Sequence, residues 1–299
     1  MPNKVIIRII AGLLFLGATF APLPQSAWAN EPWYPGALLD YFKERMRNDS
    51  ARTFLPISLA EELALGKEIA IEINRRFGGL LQNDDLIRYL NQVGMNLGRV
   101  SSRPDLHYTL GILNADFINA YAIPGGMIFI TRGLLAQVRD ESELAGVLAH
   151  EVAHIARKHA IETFADERKK EMLRVISRQE LEDNPATVKN LYAKMKSNVL
   201  DRDMGEEMEI EADQIARIMT ARLGYDPDGL ARYLVRVSRV SPNREGHFQF
   251  SPALEKRIKF LEWKSGLDRQ THGEQKSEYK VLAERFRKFI NAHTLGTQP

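Results

Sequence analysis

Two histidines four residues apart, His150 and His154, with Glu151 beside the first, are the residues of this sequence best placed to do chemistry. At about 100° per residue, positions i and i+4 of a helix lie roughly 40° apart and one turn along, so both imidazoles can reach one ion from a continuous helix. Glu151 stands where a carboxylate can take a proton from a water that a bound zinc has made acidic. Val147, His150 and His154 follow i, i+3, i+7 spacing, which turns both histidines toward the core stripe and away from solvent. A hydrogen-bonded pair of core histidines would show the same spacing, so a third ligand is the discriminating feature.

A hydrolytic zinc holds three protein ligands and keeps a fourth position open. His159 is nearest in sequence, but on a continuous helix it falls nine residues after His150, about 180° round, and is expected at the surface. It also misses the H-E-x-x-H-x-x-G-x-x-H spacing, because Arg157 and Ala160 stand at the positions that require Gly and His. Glu209 is the better candidate. Glu209 and Asp213 are at i and i+4, so one can ligate while the other hydrogen-bonds a ligand imidazole, and Glu211 points elsewhere. Carboxylates favoured by a helix macrodipole would account for the same residues without a metal.

The elements that must carry these residues are legible in the apolar spacing. Asp140 with Glu143 makes a D-x-x-E capping box opening a long helix to about Phe164. A helix from about Gly205 to Leu223 places Met208, Ala212, Ile215 and Met219 on one face, with Gly224 past its end. Upstream, Ser58 and Glu61 open a helix with Leu63, Ile69, Ile73 and Phe77 as its stripe, stopped by Gly78-Gly79. A second helix covers Asp85 to Leu97 with Gly98 as its stop. Residues 107–113 are strand-like, and 117–131 read as a β-hairpin turning at Pro124-Gly125-Gly126. Pro227 to Val240 and Leu254 to Leu261 are further helices, and 274–292 a last polar one. The charged segment 166–203 is either a solvated helix packed by one stripe or a mobile cover over the site.

Composition narrows the class. The 299 residues include no cysteine, which excludes disulfides, thiolate metal sites, cysteine nucleophiles and a lipoprotein anchor. Lys4 and Arg8, the apolar run Ile9 to Ala21 and Ala27-Trp28-Ala29 make a secretory signal peptide over 1–29, cleaved after Ala29. The run is too short to span a bilayer, so no transmembrane span is expected in the mature chain. Without residues 1–29 the formal net charge of +2 falls to zero, and no basic excess remains for nucleic acid. The expected organisation is a signal peptide over 1–29, a lead-in over 30–57, a catalytic domain over 58–261 and a helical tail over 262–299.

Three ordered blocks resemble the M48 zinc metallopeptidases, most closely their exported bacterial branch concerned with β-barrel assembly. They are Asn119-Ala120-Tyr121-Ala122-Ile123-Pro124-Gly125-Gly126 continuing to Thr131-Arg132-Gly133-Leu134-Leu135, then Glu143-Leu144 through His154, and then Glu209-x-x-x-Asp213 with Gly224-Tyr225-Asp226-Pro227. The resemblance implies an α+β, predominantly helical, gluzincin-type domain with a small β-sheet. It implies one zinc ion per chain on His150, His154 and Glu209, Glu151 as general base, and Asp213 as a support or proton donor. It also implies that the strand of Asn119 and Ala120 is a sheet edge on which an extended protein or peptide substrate pairs. Envelope assembly machinery is the implied partner, a periplasmic location the implied compartment, and quality control of unfolded or misassembled envelope proteins the implied task. Two features depart from the relatives: Ser251 stands where many have a histidine, and no tetratricopeptide array is seen in the 38 residues after Leu261. Arg257 matches a family arginine and is either an oxyanion donor or a surface residue at a helix start. The alternative function is a chaperone-like peptide-binding module with structural zinc and little turnover.

Overall fold

The computed structural model describes residues 58–163, 204–240 and 254–272, with Glu284 and Phe286, all within one compact unit, Tyr34–Pro299. The expected signal peptide, the lead-in, the segment 166–203 and Ser251 lie outside the described residues, as does all of the expected last helix except Glu284 and Phe286.

The chain is a predominantly helical α+β fold with a three-stranded sheet: α1 (Leu59–Arg76), α2 (Asp84–Arg99), β1 (Thr109–Leu113), β2 (Ala120–Ile123), β3 (Met127–Thr131), α3 (Arg132–Gln137), α4 (Glu141–Arg157), α5 (Glu206–Arg222), α6 (Gly229–Val240) and α7 (Leu254–His272). β3 is central, parallel to β1 and antiparallel to β2, with Tyr121 opposite Phe129 and Ala122 opposite Ile128. The expected hairpin is present, and its turn uses Gly125 at φ 86° and Gly126 at φ 100°, values that favour glycine.

Alternation along β3 divides the core. Ile128 and Ile130 face a cluster with Leu86, Leu90, Leu97 and Val152, whereas Met127 and Phe129 face another with Leu65, Ile69 and Ile73 of α1. The buried stripe of α1 therefore begins at Leu65, and Leu63, expected on it, is exposed. Gly98 does not stop α2. It lies inside the helix, where a Cβ would sit 2.3 Å from Tyr108 Cδ2, so it is a close-packing residue and the helix runs on to Arg99. α7 continues through the expected domain boundary at Leu261 to His272.

The Asp140 cap of α4 forms as its sequence requires, and the return contact of Glu143 falls on the residue before the cap. Asp140 Oδ1 accepts from the Glu143 N–H at 2.8 Å, and Glu143 Oε2 accepts from the Arg139 N–H at 2.9 Å. The expected single apolar stripe gives way to burial of every residue from Glu141 to Ala156, because α2, α5, α6 and the sheet surround the helix. Small residues permit that crowding: a Cβ on Gly146 would lie 2.6 Å from the Leu230 backbone nitrogen. Gly146→Ala should therefore force α6 away from α4 and lower unfolding stability by about 1–3 kcal/mol, measured by urea denaturation. Unchanged stability would mean that the two helices can part without loss. Among the described residues, no helix is long and apolar enough to cross a membrane.

Candidate metal centre

α4 and α5 pack side by side, and their facing residues bring three donors together. His150, His154 and Glu209 each offer a ligand atom within 4.8 Å of the others. The two Nε2 atoms are 3.0 Å apart, Glu209 Oε2 is 3.3 Å from His150 Nε2, and Glu209 Oε1 is 3.6 Å from His154 Nε2. A tetrahedral zinc with bonds of about 2.0–2.2 Å sets its ligand atoms roughly 3.3–3.6 Å apart; the donor types and both carboxylate–imidazole distances fit that ion, and the two imidazole nitrogens, at 3.0 Å, would have to part by a few tenths of an ångström to hold it.

The remaining ring nitrogens are held as a metal site needs them. His150 Nδ1 lies 2.9 Å from Asp213 Oδ1, at the base of a side chain with no solvent exposure. His154 Nδ1 lies 2.8 Å from Nδ1 of His159, whose Nε2 is 3.1 Å from Glu211 Oε2. The expectation that His159 sits at the surface is thus corrected: it is 1% exposed. The reason is local. α4 ends at Lys158, which adopts φ 61°, ψ 29°, and this left-handed residue turns the chain back so that the continuous-helix angle no longer applies. Glu211, expected to point elsewhere, reaches this arrangement from α5, and its Oε1 also receives Arg157 Nε at 2.8 Å.

Arg257, from the first turns of α7, is 2% exposed, which removes the surface alternative. Its Nε and Nη2 donate to the two oxygens of Asp213 at 2.8 and 2.7 Å, and its Nη1 lies 2.7 Å from Glu209 Oε2. One guanidinium thus spans the candidate ligand and the residue that orients His150.

The charges follow from this geometry. Burial acts to raise the Glu209 and Asp213 carboxyls, but Arg257 and the hydrogen bond with His150 overcome it, so both are held below the ordinary carboxylate range. Burial drives His154 well below the usual imidazole value, which keeps it neutral and able to ligate. Burial and Arg257 act to lower His150, but its hydrogen bonds to Asp213 and Glu209 hold it up at about 9, so without a metal this ring carries a positive charge. Burial pushes Glu151 up to about 7, opposed by that charge, by Arg257 and by a hydrogen bond from the Ala122 N–H.

That last contact joins the centre to the sheet. Thr131 N–H donates to the Asn119 carbonyl, so alternation turns the backbone of Tyr121 and Ile123 toward β3 and leaves that of Ala120 and Ala122 on the outer edge of β2, where among the described residues no strand pairs with it. Asn119 is buried, its Oδ1 accepting from the Ala120 N–H at 2.9 Å while its Nδ2 has no hydrogen-bond partner among the described residues. Glu62 fixes the hairpin from below: its Oε1 accepts from the Gly125 N–H at 3.2 Å and from Arg103 Nη1 at 2.6 Å. Sequence reasoning set His159 and Glu211 aside and did not notice Glu62. Only the histidine carried any signal, its closeness to His154.

Comparison with known proteins places the chain among metallopeptidases. The chain is 26% identical over 195 residues to the beta-barrel assembly-enhancing protease of Yersinia pestis, an alignment covering 62% of this chain and 39% of that protein. It is 25% identical over 260 residues to the mitochondrial metalloendopeptidase OMA1 of Schizosaccharomyces pombe, covering 82% of this chain and 74% of that one. With OMA1 of Arabidopsis thaliana the identity is 27% over 151 residues, half of this chain and 30% of the plant protein. The chain thus spans about two fifths of the Yersinia protein's length and under a third of the Arabidopsis one's. The sequence profile of peptidase family M48 matches residues 84–264, a stretch that contains the three donors, Glu151, the edge strand and Arg257; the chain belongs to that family of metallopeptidases.

Proposed function

We propose that this chain is an exported, zinc-dependent endopeptidase that cleaves extended segments of unfolded or misassembled envelope proteins, binding one zinc ion on His150, His154 and Glu209. The observation that carries this reading is the position of Glu151, whose buried carboxylate receives the Ala122 N–H from the free edge of β2 and follows His150 directly in α4. A peptide adding to that edge, pairing with the Ala120 and Ala122 carbonyls because the two N–H groups go to Asn119 Oδ1 and Glu151, would lie with its backbone beside both the carboxylate and the three donors. Zinc in such a site supplies Lewis acidity toward a carbonyl and a water that ionises near neutral pH.

The chain's own groups supply the rest. A Glu151 oxygen accepts the proton as hydrolysis begins and delivers it to the departing amine nitrogen, the role of a positioned general base that then acts as acid. Asp213 holds the His150 ring by its Nδ1, and Arg257 holds Asp213 and Glu209 in one plane of hydrogen bonds. Asn119 offers its unpaired Nδ2 to a substrate carbonyl beside Ala120. An edge strand selects chains that can become extended, which favours unfolded over folded substrates. The envelope location and assembly partners rest on the leader-like residues 1–29 and on the name of the Yersinia relative.

Purified protein should contain one zinc per chain by native mass spectrometry and cleave casein. A chelator should abolish the cleavage and stoichiometric zinc should restore it. Zinc bound without any cleavage, together with capture of unfolded protein, would support the peptide-binding alternative instead.

A further inference from the structure

The inner donors account for one nitrogen of each histidine, and the outer nitrogen of His150 is accounted for by Asp213. On the His154 side the hydrogen-bond chemistry is more constrained. If Nε2 of His154 faces a metal, its proton sits on Nδ1, and that proton must be donated to the atom 2.8 Å away, Nδ1 of His159. His159 is then a neutral acceptor on Nδ1 and carries its own proton on Nε2, which points at Glu211 Oε2 3.1 Å away. Every proton in the chain His154, His159, Glu211 has one place to go, and the last carboxylate is anchored by Arg157 Nε at 2.8 Å.

We propose that His159 is a positioning residue for the metal centre: it accepts the Nδ1 proton of His154, fixes that ring's tautomer and orientation, and is itself held by Glu211. The arrangement joins the end of α4 to α5, the helix that also supplies Glu209 and Asp213. It is the counterpart, on the second histidine, of the carboxylate that holds the first. A histidine replaces the direct carboxylate because the left-handed turn at Lys158 brings residue 159 back over His154, while Glu211 stays close enough to solvent to be half-buried. The inference rests on the metal-binding half of the proposed function and is independent of whether peptides are cleaved.

The test is zinc affinity by competition with a chromophoric chelator, on full-length protein stripped of metal. His159→Phe keeps the ring's bulk and removes the acceptor, and should weaken zinc binding by about 10–100-fold. His159→Asn can present an oxygen near the former Nδ1 position and should recover most of that loss. In a His154→Ala background, His159→Phe should have no further effect on the residual affinity. Thermal unfolding of the metal-stripped variants guards against a folding defect, since the predicted loss appears only with zinc. Affinity within twofold of wild type in His159→Phe would overturn the proposal. So would equal losses in the Phe and Asn variants, which would reduce His159 to a space-filling residue. Wild-type protein that binds zinc but cleaves no peptide would defeat the peptidase reading and leave this inference standing on the affinity ratios.

Discussion

Glu151→Gln should lower peptide hydrolysis by about 10²–10⁴-fold while the protein keeps its zinc and its fold. The amide is isosteric with the carboxylate and can still accept the Ala122 N–H, so the edge strand stays where it is. What is lost is the ability to take and return a proton. Glu151 lies outside the donor cluster of His150, His154 and Glu209, which is why metal content should not change. The variant should also retain an unfolded substrate that the wild type releases as fragments, detectable by co-purification. Activity within threefold of wild type would remove Glu151 from the reaction, and loss of zinc would place it among the ligands.

The second large effect is expected at Arg257. Its guanidinium is the only positive charge drawn against Glu209 and Asp213 among the described side chains other than the ligand histidines, and both carboxylates are almost wholly buried. Arg257→Ala would leave two carboxylates desolvated and facing each other, a change of the kind that costs about 3–5 kcal/mol. The loss should be greatest in metal-stripped protein, because bound zinc supplies positive charge to the same two helices. Denaturant unfolding with and without zinc measures that difference. Arg257→Lys should recover little, since an ammonium cannot reproduce the planar fork that spans both acids. Turnover should fall by about 10–100-fold along with zinc affinity, as expected when a group orienting metal ligands is removed. An Arg257→Ala protein with unchanged stability and zinc content but a lower kcat would instead indicate a direct charge-stabilising contact with the reacting carbonyl.

Much of this centre was written in local sequence. The i, i+4 spacing of His150 and His154 needs only a helix to converge, and Asp140 with Glu143 ensures that a helix starts in the right place. The same holds for Glu209 and Asp213, whose spacing puts one on the cluster and the other on the His150 ring. The hairpin of β2 and β3 is equally local, because two glycines at positive φ close it. Periodicity also identified Ile69 and Ile73 as core, and both are buried.

What only the tertiary structure decided comes from contacts between segments distant in sequence. α4 reads as amphipathic, yet it is buried all round because four other elements close over it, and no single-helix pattern contains that information. Gly98 reads as a helix stop, whereas the ring of Tyr108 makes it a packing residue inside the helix. The sequence left Arg257 between catalysis and the surface. Packing of α7 against α5 instead buries it between two acids, 44 residues from Asp213. His159 was misread for a subtler reason. A left-handed cap is normally announced by glycine or asparagine, and here a lysine adopts it, with its side chain 3.6 Å from the buried Glu62 of a helix nearly a hundred residues earlier. The sequence by itself determined which residues could bind a metal and on which helices they stand. The tertiary structure decided which charges neutralise them, that His159 packs against His154, and that a strand edge lies beside them, because each of those depends on a contact that no local period encodes.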